Sequence, residues 1–167
     1  FGRLNTEEKG EYLGKFEAED RLLVIYTDGN YEILDQELTQ RFDADKMLLI
    51  EKYDPNKIIT AVYLDNDKLQ YNIKRFKIET TTLNSKFLFI KEGKDNRLEA
   101  VSTDESPVLK VQTGRGQQVN KAKFKVDKLV EVMGWKAAGA KLVDFSKSVE
   151  MEWEAKENQT GQGDLFE

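Results

Sequence analysis

Four times along this 167-residue chain, a run of β-branched and aromatic residues enters a short polar turn and leaves it as a second such run. Arg21-Leu-Leu-Val-Ile-Tyr-Thr27 passes through Asp28-Gly29-Asn30 into Tyr31-Glu-Ile-Leu34. Lys57-Ile-Ile-Thr-Ala-Val-Tyr-Leu64 passes through Asp65-Asn66-Asp67 into Lys68-Leu-Gln-Tyr-Asn-Ile73. Lys86-Phe-Leu-Phe-Ile90 leads to Arg97-Leu-Glu-Ala-Val101, and Pro107-Val-Leu-Lys-Val-Gln112 leads through Thr113-Gly-Arg-Gly116 to a strand at 121–126. Asp-Gly between such runs is a strong hairpin signal, because the turn needs a positive φ and the flanks favour extended backbone. An all-β fold is therefore expected. The hairpins are imperfect copies at spacings of roughly 20 to 40 residues, a period of blades, sandwiches or barrels. The best helix candidates, residues 34–42 and 128–133, are short.

With only two Pro and 11 Gly in the chain, no linker interrupts residues 1–149, which are expected to form one domain. After Val149 the composition changes to Glu-Met-Glu-Trp-Glu-Ala-Lys-Glu, then a Gly/Gln-rich stretch, then Asp164-Leu-Phe-Glu167. Residues 150–167 are expected to be an acidic flexible tail, disordered beyond about Glu154.

Two absences narrow the chemistry. With no Cys there are no disulfides or thiolate metal sites, and with no His there is no Ser-His-Asp or Cys-His nucleophile and no histidine zinc site. Acid–base chemistry would have to use paired carboxylates, Lys or Tyr. Asp43, Asp45 and Glu51 are candidates, though nothing in their spacing requires pairing. Asp65-Asn66-Asp67 starts like a calcium loop, but Gln70 and Phe76 stand where Gly and Glu are needed, so a hairpin turn is expected. No apolar run is long enough to span a bilayer and no signal peptide is visible, which suits a cytoplasmic protein. The first residue is Phe rather than Met, so the chain is expected to be cut from something longer.

The net charge of −5 hides a sorted distribution. Residues 1–60 carry 14 acids and 8 bases, residues 61–149 carry 11 acids and 17 bases, and residues 150–167 carry 6 acids and 1 base. Residues 106–126 contain no acid at all, but hold Lys110, Arg115, Lys121, Lys123 and Lys125. A basic centre between acidic ends suggests a polyanionic partner on one surface. In Lys121-Ala-Lys-Phe-Lys-Val126 the alternation is strict. On a strand the three lysines share one face at intervals of about 7 Å, comparable to successive phosphates, while Ala122, Phe124 and Val126 point to the core. The same pattern also fits a solvated edge strand guarded by lysine. Further upstream, Tyr71 and Ile73 alternate inward with Leu69. The phase then slips to Phe76 and Ile78, which predicts a bulge at Lys74–Arg75 and an outward cluster of Lys74, Arg75 and Lys77. Glycines on both sides of Arg115 permit close approach of a phosphate; a plain glycine turn reads equally well. Trp135 is expected in the core.

In these features the chain resembles the C-terminal domain of the A subunit of bacterial type IIA topoisomerases. It is more nearly similar to that of topoisomerase IV in Bacteroides-like bacteria than to that of gyrase. The hairpins at 22–34, 58–73 and 87–101 are similar to that family's blade strands. The segment Phe124-Lys-Val-Asp-Lys-Leu-Val-Glu-Val-Met-Gly-Trp-Lys-Ala-Ala-Gly-Ala-Lys-Leu142 is similar to its blade-closing stretch. The resemblance implies a β-pinwheel of about three to four blades, each a four-stranded antiparallel sheet, with strands exchanged between neighbours and DNA bound on a basic outer rim. The basic glycine-rich box of gyrase, Gln-Arg-Arg-Gly-Gly-Lys-Gly, has only a degenerate echo in Gln112-Thr-Gly-Arg-Gly-Gln-Gln118, which favours a topoisomerase IV-like role.

The expected function is non-catalytic binding of duplex DNA, orienting it for ATP-dependent strand passage. The residues expected to carry it are Lys74, Arg75, Lys77, Lys110, Arg115, Lys121, Lys123 and Lys125. No catalytic residue, metal or cofactor is expected in this domain. The resemblance places ATP and Mg2+ use in other domains of the parent enzyme. The implied partners are the ATPase B subunit, together with the rest of the A subunit. No membrane is implied; the isolated domain is expected to be monomeric, and the parent enzyme to sit on the nucleoid. The competing reading is a propeller-like protein-interaction module without DNA affinity. A small carboxylate-based enzyme is third.

Overall fold

The computed structural model describes residues 12–36 and 44–155, together with the backbone of two short strands, β1 (Gly2–Arg3) and β4 (Arg41–Phe42), which pair with each other. The described elements are fourteen strands, one 3-10 turn (Ala44–Lys46) and a single four-residue helix, α1 (Val126–Leu129). Among the described residues no helix is long and apolar enough to cross a membrane.

Three larger sheets hold the remaining strands. The first has the order β5 (Met47–Lys52), β2 (Leu22–Tyr26), β3 (Asn30–Leu34), β8 (Lys86–Leu88). In the second, β7 (Gln70–Phe76) pairs with β6 (Ile59–Asp65), which pairs with β9 (Arg97–Ser102). Its other neighbours are β12 (Val132–Met133), parallel to β7, and β13 (Ala140–Asp144), antiparallel to it. The third sheet has the order β11 (Asn120–Lys125), β10 (Val108–Thr113), β14 (Glu150–Trp153). The chain starts each new sheet before finishing the last. It returns from β7 to the first sheet for β8, and from β11 to the second sheet for β12 and β13.

Two apolar clusters stack the sheets. Leu23, Ile25, Tyr31 and Ile33 of the first sheet meet Ile59, Ala61, Tyr63 and Phe76 of the second. On the opposite face of the second sheet, Val62, Leu64, Tyr71 and Ile73 meet Leu109 and Val111 of the third, with Phe124, Met151 and Trp153 packed alongside. The unbroken apolar runs of β2 and β6 follow from this, since both faces of each strand are covered. The outer face of the first sheet, Leu22, Val24 and Tyr26 with Met47 and Ile50 of β5, packs against Leu13 and Phe16. The outer face of the third sheet carries charge instead.

Several expectations need correction. The hairpins at 22–34, 58–73 and 107–126 form, but 87–101 is not a hairpin. Strand β8 pairs with β3 and β9 pairs with β6, so the two runs belong to different sheets. Of the first helix candidate, Leu34 ends β3 and Arg41 and Phe42 are extended; of the second, only Lys128 and Leu129 are helical, as the end of α1, before strand β12 begins. Residues 37–40, from the first candidate, lie outside the described residues. The segment from Glu150 onward is not a tail at its start. Glu150–Trp153 is strand β14, drawn in because Met151 and Trp153 enter the second cluster and the indole N–H of Trp153 donates to the Val101 carbonyl at 3.0 Å. Residues 156–167 lie outside the described residues.

The segment 134–139 straps the first two sheets together. The Trp135 ring sits edge-on to Tyr31 and Phe87 of the first sheet. The Ala138 carbonyl accepts from the Tyr63 hydroxyl at 2.6 Å, and the Trp135 carbonyl from the Lys74 ammonium at 2.7 Å, both in the second sheet.

Candidate functional site

The exposed face of the third sheet gathers the basic residues. Strand register puts Lys110 opposite Lys123, Gln112 opposite Lys121 and Val108 opposite Lys125. Directly opposed residues share a face, so Lys110, Lys121, Lys123 and Lys125 form one basic patch, with the three of β11 in a row along the sheet edge. Its inner face holds Leu109 and Val111, both buried, and the half-buried Phe124, while Val126 just beyond the strand is fully buried. Ala122 departs from the expected pattern. It is exposed although Val111, directly opposite it, is buried, and with Lys121, Lys123, Glu150 and Glu152 it lines a groove of about 500 Å³.

On the far side of β10 the same face turns acidic. Glu150 is opposite Gln112 and Glu152 is opposite Lys110. The Lys110 ammonium lies 3.2 Å from Glu152, and Lys123 reaches across β10 to Glu154 at 2.6 Å. The Lys123 hydrogen bond, with Lys110 and Lys125 nearby, holds the Glu154 carboxyl below its ordinary range. A column of three cations thus runs beside a column of acids. Sequence reasoning treated those acids as a detached tail. The signal was there in Glu150-Met-Glu-Trp-Glu154, which alternates acid and apolar with the strand period.

Arg115 stands at the turn end of this face. Gly114 has φ 89°, and a Cβ there would come within 2.0 Å of the Gln118 carbonyl oxygen, so the tight turn requires glycine. Gly116, at φ 63°, faces open space. The sequence suggested close approach on both sides of Arg115; at Gly114 the Gln118 carbonyl already takes the space a side chain would need.

Three of the expected residues are elsewhere. No bulge occurs at Lys74–Arg75, and the β6–β7 register is continuous from Ile59↔Phe76 to Asp65↔Gln70. The apolar pattern slips because β7 is central: Tyr71 and Ile73 face one cluster, and Phe76 faces the other. Lys74 and Arg75 are consequently buried, at 1% and 5% exposure. The Lys74 ammonium donates to the carbonyls of Phe89 and Trp135 and sits over the rings of Phe76 and Phe89. Burial pushes its pKa down to about 8. Arg75 donates to the Thr60 hydroxyl and the Glu105 carbonyl, both at 3.2 Å. Lys77 is exposed, but it follows a strand of the second sheet. Lys74 and Arg75 are structural, and Lys77 does not join them in a cluster.

The weaker candidates have structural partners. Asp65 accepts from the Lys68 amide and the Lys91 ammonium, both at 3.2 Å, as a turn residue. Glu51 accepts from Thr103 at 2.8 Å and from Lys57 at 3.0 Å. Asp43 lies outside the described residues. Among the described residues no group of three or more His, Cys, Asp or Glu side chains is arranged to hold a metal ion.

No curated protein matches the chain. Residues 3–150, which include all three sheets up to the first residue of β14, match the family model described as topoisomerase C-terminal domain, Bacteroidota. With the match covering most of its length, the chain belongs to the topoisomerase C-terminal domain family of Bacteroidota.

Proposed function

We propose that this is the non-catalytic DNA-binding domain of the A subunit of a type IIA topoisomerase, and that duplex DNA lies along β11 on the outer face of the third sheet. The observation that carries this reading is the row of Lys121, Lys123 and Lys125 on an exposed strand face, with Arg115 at its end. Such contacts neutralise phosphates and release counterions without reading base sequence. The reading includes a pinwheel arrangement of the sheets, which the return of β8 to the first sheet and of β12 and β13 to the second supports. Strand cleavage, ATP and Mg2+ would belong to the B subunit, or to the rest of the A subunit, with the assembly on the nucleoid.

Binding of the chain to a labelled duplex of about 40 base pairs, followed across a salt series, tests the proposal. Affinity is expected to fall steeply with salt, with a log–log slope of about −0.9 per phosphate contacted. No binding at low salt would sink it. That outcome would favour a protein-docking domain, for which Leu129, Val132 and Met133, exposed at 61%, 42% and 56%, are the apolar anchors.

Glu152 of β14 and the adjoining Glu154 compete with phosphate for the same lysines. Replacing the two together by Gln is expected to raise DNA affinity several-fold, to at most about thirtyfold if each of the two exposed ion pairs contributes about 1 kcal/mol. Unchanged or reduced affinity would show that Lys110 and Lys123 are not held back from DNA. The contribution of residues 156–167 is separable by truncation after Ala155. Truncation at residue 149, which the sequence suggested, would remove a strand of the sheet.

A further inference from the structure

We infer that Lys147, together with Arg115, forms a second phosphate-backbone contact at the turn end of the third sheet, continuing the lysine row of β11. This inference rests on the DNA-binding reading above. Two turns meet there. The Gly114 amide donates to the Ser148 hydroxyl at 3.1 Å, which fixes the 113–118 turn against the 146–148 turn. The second turn is itself held by the Ser148 amide donating to the Ser146 hydroxyl at 3.2 Å, with the two hydroxyls 2.9 Å apart. Arg115 follows Gly114 and Lys147 precedes Ser148 in the chain, so each cation is one residue from the bond that joins the turns.

Both side chains are exposed, and among the described residues neither has an ion-pair partner. That sets them apart from Lys110 and Lys123, whose charge is already opposed by Glu152 and Glu154. A polyanion approaching the face meets Lys121, Lys125, Arg115 and Lys147 without having to displace a carboxylate. The open space beside Gly116 lets a phosphate reach the Arg115 tip, and the Ser146 hydroxyl, also exposed, supplies a neutral donor beside Lys147. The line of contact along β11 thereby extends around the sheet end. Lys147 did not stand out in the sequence, because it lies 26 residues after Lys121 and outside the acid-free run.

The test measures the salt dependence of duplex binding for the 167-residue chain and for Lys147→Gln, Arg115→Gln, the double variant, and Lys121→Gln as a reference on the strand row. Unchanged thermal melting is the check that each variant folds. Each of the first two is expected to reduce the magnitude of the log–log slope by about 0.9 and the double by about 1.8, equally for duplexes of unrelated sequence. If Lys121→Gln flattens the slope and Lys147→Gln does not, the inference is wrong and the DNA reading stands. If the unaltered chain fails to bind at low salt, the DNA reading itself fails and takes the inference with it.

Discussion

Lys74→Ala is expected to destabilise the domain by about 3 kcal/mol, measured as a shift in the urea unfolding midpoint. Its side chain is buried with the ammonium over the rings of Phe76 and Phe89, where it satisfies two carbonyls from segments far apart in the chain. Truncation leaves a cavity and two orphaned acceptors, each worth about 1–3 kcal/mol, offset in part by relief of the buried charge. Lys74→Met keeps the volume and removes the charge, so it should sit much closer to the unaltered protein.

The sharper signature is in pH. The folded-state pKa of about 8 lies below the ordinary lysine value of 10.5. Between these values the unfolded chain binds the proton and the folded one does not, so stability rises with pH across that window. Lys74 by itself contributes a gain of about 2 kcal/mol from pH 8 to pH 10 by linkage. As the pH approaches 10 the tyrosines offset this gain and the direction reverses. Burial holds the phenols of Tyr31, Tyr53, Tyr63 and Tyr71 above their ordinary range, and the unfolded chain then loses protons that the folded one keeps. The rise between pH 8 and 10 should vanish in Lys74→Met. A rise that persists in that variant would mean that Lys74 is not the group responsible.

Reversal of Lys121, Lys123 and Lys125 to Glu is expected to lower DNA affinity at about 0.1 M salt by on the order of a hundredfold or more, and to flatten the salt slope by about 2.7. The three side chains share one exposed strand face, so the variant turns the basic column into a second acidic one beside Glu150 and Glu152. New repulsion between Glu at position 123 and Glu154 could loosen β14, so the triple Gln variant serves as the neutral control. It should lose the same slope increment while melting with the unaltered chain. Unchanged affinity in both variants would remove β11 from the interface.

The parts of this molecule legible in its sequence are those fixed by neighbours a few residues apart. Asp28-Gly29 sets the β2–β3 turn, and the alternation of Lys121 to Lys125 sets the exposed lysine row, because turn chemistry and the two-residue strand period are local. Sheet membership was not legible. Strand β8 closes on β3, some fifty residues earlier, and no local pattern encodes a partner at that distance. The fate of Lys74 and Arg75 was equally hidden. Polar residues on a strand read as solvent-facing until both faces of that strand are covered, and β7 is covered by two clusters whose members come from both halves of the chain. The acidic column beside the lysines has the same origin. Glu152 and Glu154 became neighbours of Lys110 and Lys123 only when burial of Met151 and Trp153 drew β14 into the sheet. The sequence by itself determined the strands, their turns and the face each lysine of β11 takes. The tertiary structure alone decided which charges meet, since that depends on pairing between distant segments driven by apolar burial.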